Sequence, residues 1–205
     1  SMTVGNFSAL WQKDVKRMLA YSSIAHAGFL LVGILAFSES GSTSALFYGS
    51  IYLLMNFGAF YLVQLFENNE GKTSFDVFKG MGLTVPYLGA LLLIVMISLT
   101  GLPPMAGFNA KLYVFSSLWE AWQIEGSNIL LWVFIFGLLN TVVSLFFYLK
   151  IPYYMFFKSG KEVLGERTGN LTDKILGTIL VLPLLLLFFK SDWLLNVLNS
   201  INFAL

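Results

Sequence analysis

Lys111 is the residue whose placement most suggests chemistry. It follows a glycine and proline cluster within an apolar stretch, in the run Leu99-Thr100-Gly101-Leu102-Pro103-Pro104-Met105-Ala106-Gly107-Phe108-Asn109-Ala110-Lys111. An ionisable group at mid-bilayer costs from about 3 kcal/mol upward, so a lysine held there marks a functional site by default. Gly101, Pro103, Pro104 and Gly107 predict a break in the helix that carries it, because proline removes one intrahelical hydrogen bond and obstructs another. Backbone groups freed at membrane depth must be met by water or by neighbouring helices, which makes a small hydrated pocket. A lysine beside such a pocket can take up and release protons. A second reading stands beside this one, in which Lys111 snorkels from near a helix end to the headgroups. Against it, Leu112 to Trp119 continue the apolar pattern, and the acids Glu120 and Glu125 come only afterwards.

His26 is the second candidate, within Tyr21-Ser22-Ser23-Ile24-Ala25-His26-Ala27-Gly28. An ordinary pKa of about 6.5 suits a proton relay. Ser22 and Ser23 lie one helical turn earlier on adjoining faces. A histidine that only hydrogen-bonds a neighbouring helix is the alternative. Asn56 and Asn140 read as interhelical hydrogen-bonding residues in apolar spans. Tyr148, in Phe146-Phe147-Tyr148, reads with Tyr153-Tyr154 as an interfacial aromatic belt at the basic end of a span. Pro183 reads as a kink and Trp193 as an interfacial anchor.

The elements that must position these residues are membrane helices. Of 205 residues, 57% are hydrophobic and 11% charged, which predicts an all-α integral membrane protein. A formal charge of +1 implies no attraction to nucleic acid. The absence of cysteine excludes disulfides and thiolate metal sites in this chain, and a single histidine leaves no cluster for zinc or haem. No metal site is expected. Residues 1–17 read as the end of a helix whose beginning is missing, followed by the basic loop Lys13-Asp14-Val15-Lys16-Arg17, with no signal peptide. A single transmembrane domain is expected over 18–189, with spans near 18–37, 45–66, 83–119, 129–149 and 175–189, and a tail over 190–205.

The third span needs a break. At about 1.5 Å per residue the stretch 83–119 would make roughly 55 Å of helix, beyond a bilayer core of about 30 Å. Either Gly101 to Pro104 turn a hairpin, or they interrupt one partly unwound span. A single crossing puts Lys13, Lys16, Arg17, Lys72, Lys79, Lys150, Lys158, Lys161, Arg167 and Lys174 on one side and leaves Lys190 opposite. A hairpin would place the last five of those ten on the wrong side, so charge favours five spans, one of them broken.

These residues also carry a resemblance. Lys13-Asp14-Val15-Lys16-Arg17-Met18-Leu19-Ala20-Tyr21-Ser22-Ser23-Ile24-Ala25-His26-Ala27-Gly28 resembles a signature of the antiporter-like membrane subunits of respiratory NADH:quinone oxidoreductase, complex I. Ser98 to Phe108 followed by Lys111 is similar to the second signature, and Asn140 with Val143 to Lys150 fits the N type of these subunits. The resemblance covers essentially the whole chain. It implies the second of two inverted five-helix repeats, with Lys111 as the lysine of the broken helix at the exit of a hydrated axis and His26 lining that axis. Glutamate and lysine partners on earlier helices would precede Ser1. The family usually has glycine before this lysine, and Ala110 stands here, which leaves the position of the break open.

The implied function is proton translocation driven by electron transfer elsewhere in the complex. No cofactor is expected in this chain, since FMN and iron–sulfur clusters belong to other subunits and quinone is the substrate of the complex. Other membrane subunits and the lipid bilayer are the implied partners. A bacterial cell inner membrane is the expected location, ahead of the mitochondrial inner membrane. The alternatives are a subunit of a related cation/proton antiporter or membrane-bound hydrogenase, a structural membrane scaffold, and a quinone-binding subunit.

Overall fold

The computed structural model describes residues 1–67, 73–159 and 170–200. Within them the chain is helical: α1 Met2–Leu10, α2 Val15–Ile34, α3 Glu39–Leu65, a 3-10 turn Phe75–Phe78, a single turn α4 Met81–Thr84, α5 Pro86–Thr100, α6 Ala106–Glu125, α7 Asn128–Phe157, α8 Leu171–Phe189 and α9 Ser191–Asn199. By length and composition α2, α3, α7 and α8 can each cross a membrane, and α5 is a shorter apolar helix.

Local chemistry sets where these helices begin. The Asp14 carboxylate accepts the Arg17 N–H, so α2 starts three residues before its apolar run. Ser38 accepts the Gly41 N–H and starts α3 at Glu39, well ahead of Ala45. Pro86 opens α5 where its missing N–H costs no bond. Asn170 and Asp173 form a reciprocal capping box at the head of α8. At α2, α3 and α8 the polar residues that initiate the helix lie outside the apolar windows, so these helices begin ahead of the spans that hydropathy predicts.

Two ends differ more. Helix α7 continues through Pro152 to Phe157, beyond the expected Leu149. The expected tail contains α9, whose Leu194 and Leu198 share a face, with Leu198 buried in the core and Leu194 packed against it. Pro183 sits inside α8 without ending it.

The packing resolves how 83–119 crosses. Down α3, Phe47 stacks edge-on against Tyr113 at 5.1 Å, Met55 faces Gly107, and Gly58 faces Val95. Along α8, the Thr178 hydroxyl pairs with Tyr87 at 2.6 Å and the Phe188 carbonyl accepts from Asn109 at 2.9 Å. The contacts advance steadily from α5 into α6 along both neighbours, so the pair forms one interrupted span rather than a hairpin. Among the described residues, the four long apolar helices and the interrupted α5–α6 pair fit five spans with the third broken.

This arrangement separates the charges. Lys13, Lys16, Arg17, Lys79, Lys150, Lys158 and Lys174 gather at one end of the bundle with the acids Asp14, Glu67, Asp76 and Asp173, and Glu39, Glu120, Glu125, Lys190 and Asp192 lie at the other. Lys72, Lys161 and Arg167 lie outside the described residues. The basic end is tied together by Lys16–Glu67 and Lys79–Asp76 ion pairs, both 2.6 Å, and by the Thr73 hydroxyl donating to Asp14 at 2.7 Å. Lys150 lies 4.0 Å over the Phe75 ring. The outward faces of α7 and α8 expose Trp132, Phe136, Val142, Ile179 and Leu182, as lipid-facing or subunit-facing surfaces require.

Candidate functional site

The break between α5 and α6 is built around two glycines. Gly101 ends α5 at φ +81°, the left-handed conformation that glycine adopts most readily. Its N–H donates to Ser98 O while the Leu102 N–H donates to Ile97 O, a complete Schellman motif. Gly107 lies in the first turn of α6, where its N–H donates to the Ser98 hydroxyl at 3.2 Å. A Cβ on Gly107 would fall 1.8 Å from Ser98 O, so only glycine lets the two half-helices come this close. Pro103 and Pro104 are exposed at the turn between them, joined by a cis bond. The helix resumes at Ala106, and Ala110 is fully buried in its second turn.

Lys111 completes this break. A helix end leaves four carbonyls without intrahelical partners. At α5 those of Ile97 and Ser98 are taken by the Schellman bonds. The Lys111 ammonium donates to the other two, Leu99 O at 3.3 Å and Thr100 O at 2.7 Å. The positive charge therefore sits at the negative end of the α5 dipole. The residue is 6% exposed, and its Nζ lies 5.1 Å over the Phe29 ring. Among the described residues no carboxylate forms an ion pair with it. The backbone carbonyls freed by the break are thus met by the chain's own groups, where the sequence suggested water or neighbouring helices.

His26 forms a second polar cluster. It is 2% exposed in the middle of α2, and both ring nitrogens are engaged: Nδ1 with Tyr48 Oη at 2.7 Å, Nε2 with Tyr148 Oη at 2.9 Å. Tyr52 stacks on the ring at 4.7 Å between centroids. Tyr148 is therefore not part of an interfacial belt. Because α7 runs on to Phe157, Tyr148 and Phe147 are buried within the span, while Phe146 and Tyr153 remain exposed. Sequence reasoning missed Tyr48 and Tyr52, whose spacing of four residues on one face of α3 is the one trace of this cluster in the sequence.

The remaining polar candidates divide. Asn140 accepts from the Asn6 amide at 3.0 Å and donates to the Thr3 hydroxyl at 3.2 Å, joining α7 to α1. Ser22 and Ser23 both donate back to Leu19 O within α2. Asn56 makes no side-chain hydrogen bond among the described residues. A groove of ≈ 560 Å³ opens beside Lys111 and runs past Phe115 and Thr141 to Glu120 and Gln123 at the acidic end of α6. Among the described residues no cluster of His, Asp or Glu is large enough to hold a metal ion.

Known proteins share this fold. The family described as NADH:quinone oxidoreductase/Mrp antiporter, TM, matches residues 1–149. NADH-quinone oxidoreductase subunit N of Chlorobium chlorochromatii is 46% identical over 170 residues, covering 83% of this chain and 32% of the relative. The chloroplastic NAD(P)H-quinone oxidoreductase subunit 2 of Mesostigma viride is 47% identical over 163 residues, covering 80% and 31%. The chain spans about a third of the length of these curated relatives. A chain of respiratory complex I from Thermus thermophilus superposes with a TM-score of 0.80 at 31% identity, over 97% of this chain and 43% of that one. A chain of the Mrp complex from Dietzia sp. superposes at 0.83 with 20% identity, over 97% and 44%, which is likeness of fold. With its two half-helices, its five spans and a family match over most of its length, the chain belongs to the NADH:quinone oxidoreductase/Mrp antiporter membrane family.

Proposed function

We propose that this chain moves protons as part of the N-type antiporter-like subunit of an ion-translocating NADH:quinone oxidoreductase. The observation that carries this reading is the environment of Lys111. The Lys111 side chain is buried in the bundle, its Nζ against two carbonyls and an aromatic face, among described residues that give it no carboxylate partner. Such a group has a reason to lose its proton that a paired surface lysine lacks.

In this reading His26 passes protons along the span. A neutral imidazole carries a hydrogen on one ring nitrogen and a lone pair on the other. With Tyr48 on Nδ1 and Tyr148 on Nε2, one tyrosine donates to the ring while the other accepts from it. A proton arriving at the accepting nitrogen releases one from the opposite nitrogen, and both hydroxyls reverse their roles. Lys111 then loads from this side and releases toward the groove that ends at Glu120 and Gln123. The hydrated axis, with quinone reduction and the FMN and iron–sulfur chemistry in other subunits, is the remainder of the proposal. So are assembly with other membrane subunits and location in a bacterial inner membrane.

A cation/proton antiporter subunit is the second reading, favoured by the fold shared with the Mrp complex. The test is proton translocation measured against NADH:quinone electron transfer in vesicles, with Lys111→Ala in the intact complex and assembly verified. Loss of coupled pumping is expected. Unchanged pumping with unchanged turnover would make Lys111 a structural cap and the chain a scaffold.

A further inference from the structure

We propose that Phe29 is a valve on this route, an apolar plug between the His26 chain and Lys111 that the charged lysine holds shut. The inference rests on the roles given above to those two residues. Phe29 is fully buried in α2, three residues after His26 and on the same side of the helix. Its ring meets His26 edge-on at 6.2 Å and Phe115 of α6 edge-on at 6.2 Å, and Lys111 Nζ lies 5.1 Å from its centroid. On one side of the ring, both nitrogens of His26 are taken by tyrosines. On the other, Lys111 gives two of its three N–H groups to the α5 carbonyls. Among the described residues no hydrogen bond joins the two clusters, and Phe29 touches both.

Proton transfer needs donor and acceptor within hydrogen-bond reach, or one water between them, and a phenyl ring supplies neither. The route from His26 to Lys111 therefore opens only when the ring turns aside and water enters. The face of the ring attracts an ammonium but not a neutral amine. A loaded Lys111 thus holds the ring in place, and its proton leaves on the groove side, where Glu120 and Gln123 lie. Once the ammonium has given up that proton and become an amine, the hold on the ring is gone. Water can then bridge from the His26 chain, and a proton returns to the lysine lone pair. A loaded lysine is thus closed to the His26 side and a neutral one open to it, and the direction of net transfer comes from the electron transfer that drives the complex.

The test uses the intact complex in liposomes and reads two quantities: passive proton conductance without NADH, and protons moved per electron. Phe29→Ala is expected to raise the passive conductance severalfold and lower the protons moved per electron while NADH:quinone turnover persists. Phe29→Val, which keeps an apolar side chain but shortens the plug, is expected to do the same to a smaller degree, and it serves where the alanine variant fails to assemble. In Phe29→Ala/Lys111→Met the added conductance should vanish. Parental conductance and stoichiometry in the assembled Phe29 variants, beside lost pumping in Lys111→Ala, would overturn the valve and leave the lysine on the path. A leak that persists in the double variant would also overturn it, because the opened route would bypass Lys111.

Discussion

At the scale of single residues, the candidate site is two titratable side chains, each held by groups of other helices: His26 by the hydroxyls of Tyr48 and Tyr148, Lys111 by two carbonyls of α5. Lys111 and His26 stood out because charge and imidazole are rare in apolar spans. Tyr48 and Phe29 did not, since an aromatic residue in a membrane helix has a packing role by default and only the fold brings these two against His26 and Lys111. The partners of Lys111 could not be read at all, because they are the carbonyls of Leu99 and Thr100, which every residue type carries. Removing one hydroxyl from the histidine cluster isolates its contribution. Tyr48→Phe leaves Nδ1 of His26 buried without its partner, a loss of about 1–3 kcal/mol. Thermal unfolding of the detergent-solubilised complex should reveal it, and coupled pumping should fall while the aromatic packing is kept. Lys111→Arg separates charge from titration, since an arginine keeps a cation at the end of α5 but does not release its proton at working pH. Assembly is expected with pumping lost; pumping retained at the parental rate would remove the need for a titrating group.

At the scale of elements, the break was legible in its residues and its bonding was not. Gly101, Pro103 and Pro104 signalled an interruption, but Gly107 matters through Ser98, nine residues earlier, across a gap that spacing does not reveal. Gly107→Ala should abolish assembly or lower the unfolding temperature sharply, because the backbone of Ser98 has no flexible end to move aside. Gly101→Ala meets a positive φ as well as the Lys111 side chain, with Cδ 2.6 Å from the added carbon, and should cost at least about 1 kcal/mol. The helix starts were harder to read than the spans, since each depends on one short polar side chain. At Asp14, burial pushes the carboxyl up, but hydrogen bonds from the Arg17 N–H and from the Thr73 hydroxyl and N–H outweigh it, aided by the Arg17 charge, and hold the group below its usual range. A lowered carboxyl stabilises the fold above its ordinary pKa of about 3.9, and that contribution disappears as pH falls through the folded value. Protection factors for hydrogen exchange at Val15 and Arg17 should therefore fall below about pH 4, and Asp14→Asn should flatten the profile.

At the scale of the whole molecule, the count of spans followed from charge. Ten of the twelve basic side chains fall on one side only if 83–119 crosses once, and the packing of α5 and α6 along α3 and α8 has that form. The side itself is a prediction. Because the chain has no cysteine, Ser159→Cys gives a single label site, expected to react with an impermeant reagent from the cytoplasmic face only. Reaction from the outer face would invert the topology. The sequence did not indicate that α9 would pack under the bundle, since the apolar residues of its inner face are few and lie beyond the last span. One further consequence comes from the hold of Lys111 on the end of α5. An ammonium offers three hydrogens and a neutral amine two, and two are what Leu99 O and Thr100 O require. Discharging the lysine therefore costs the hinge none of its fastenings. The charge can come and go while the two half-helices stay where they are, so structures taken in acid and in alkali should superpose around residues 97–111 and differ mainly in the Phe29 ring and the water beside it. A machine of this kind would work by altering fields and wetting, with no lever to throw.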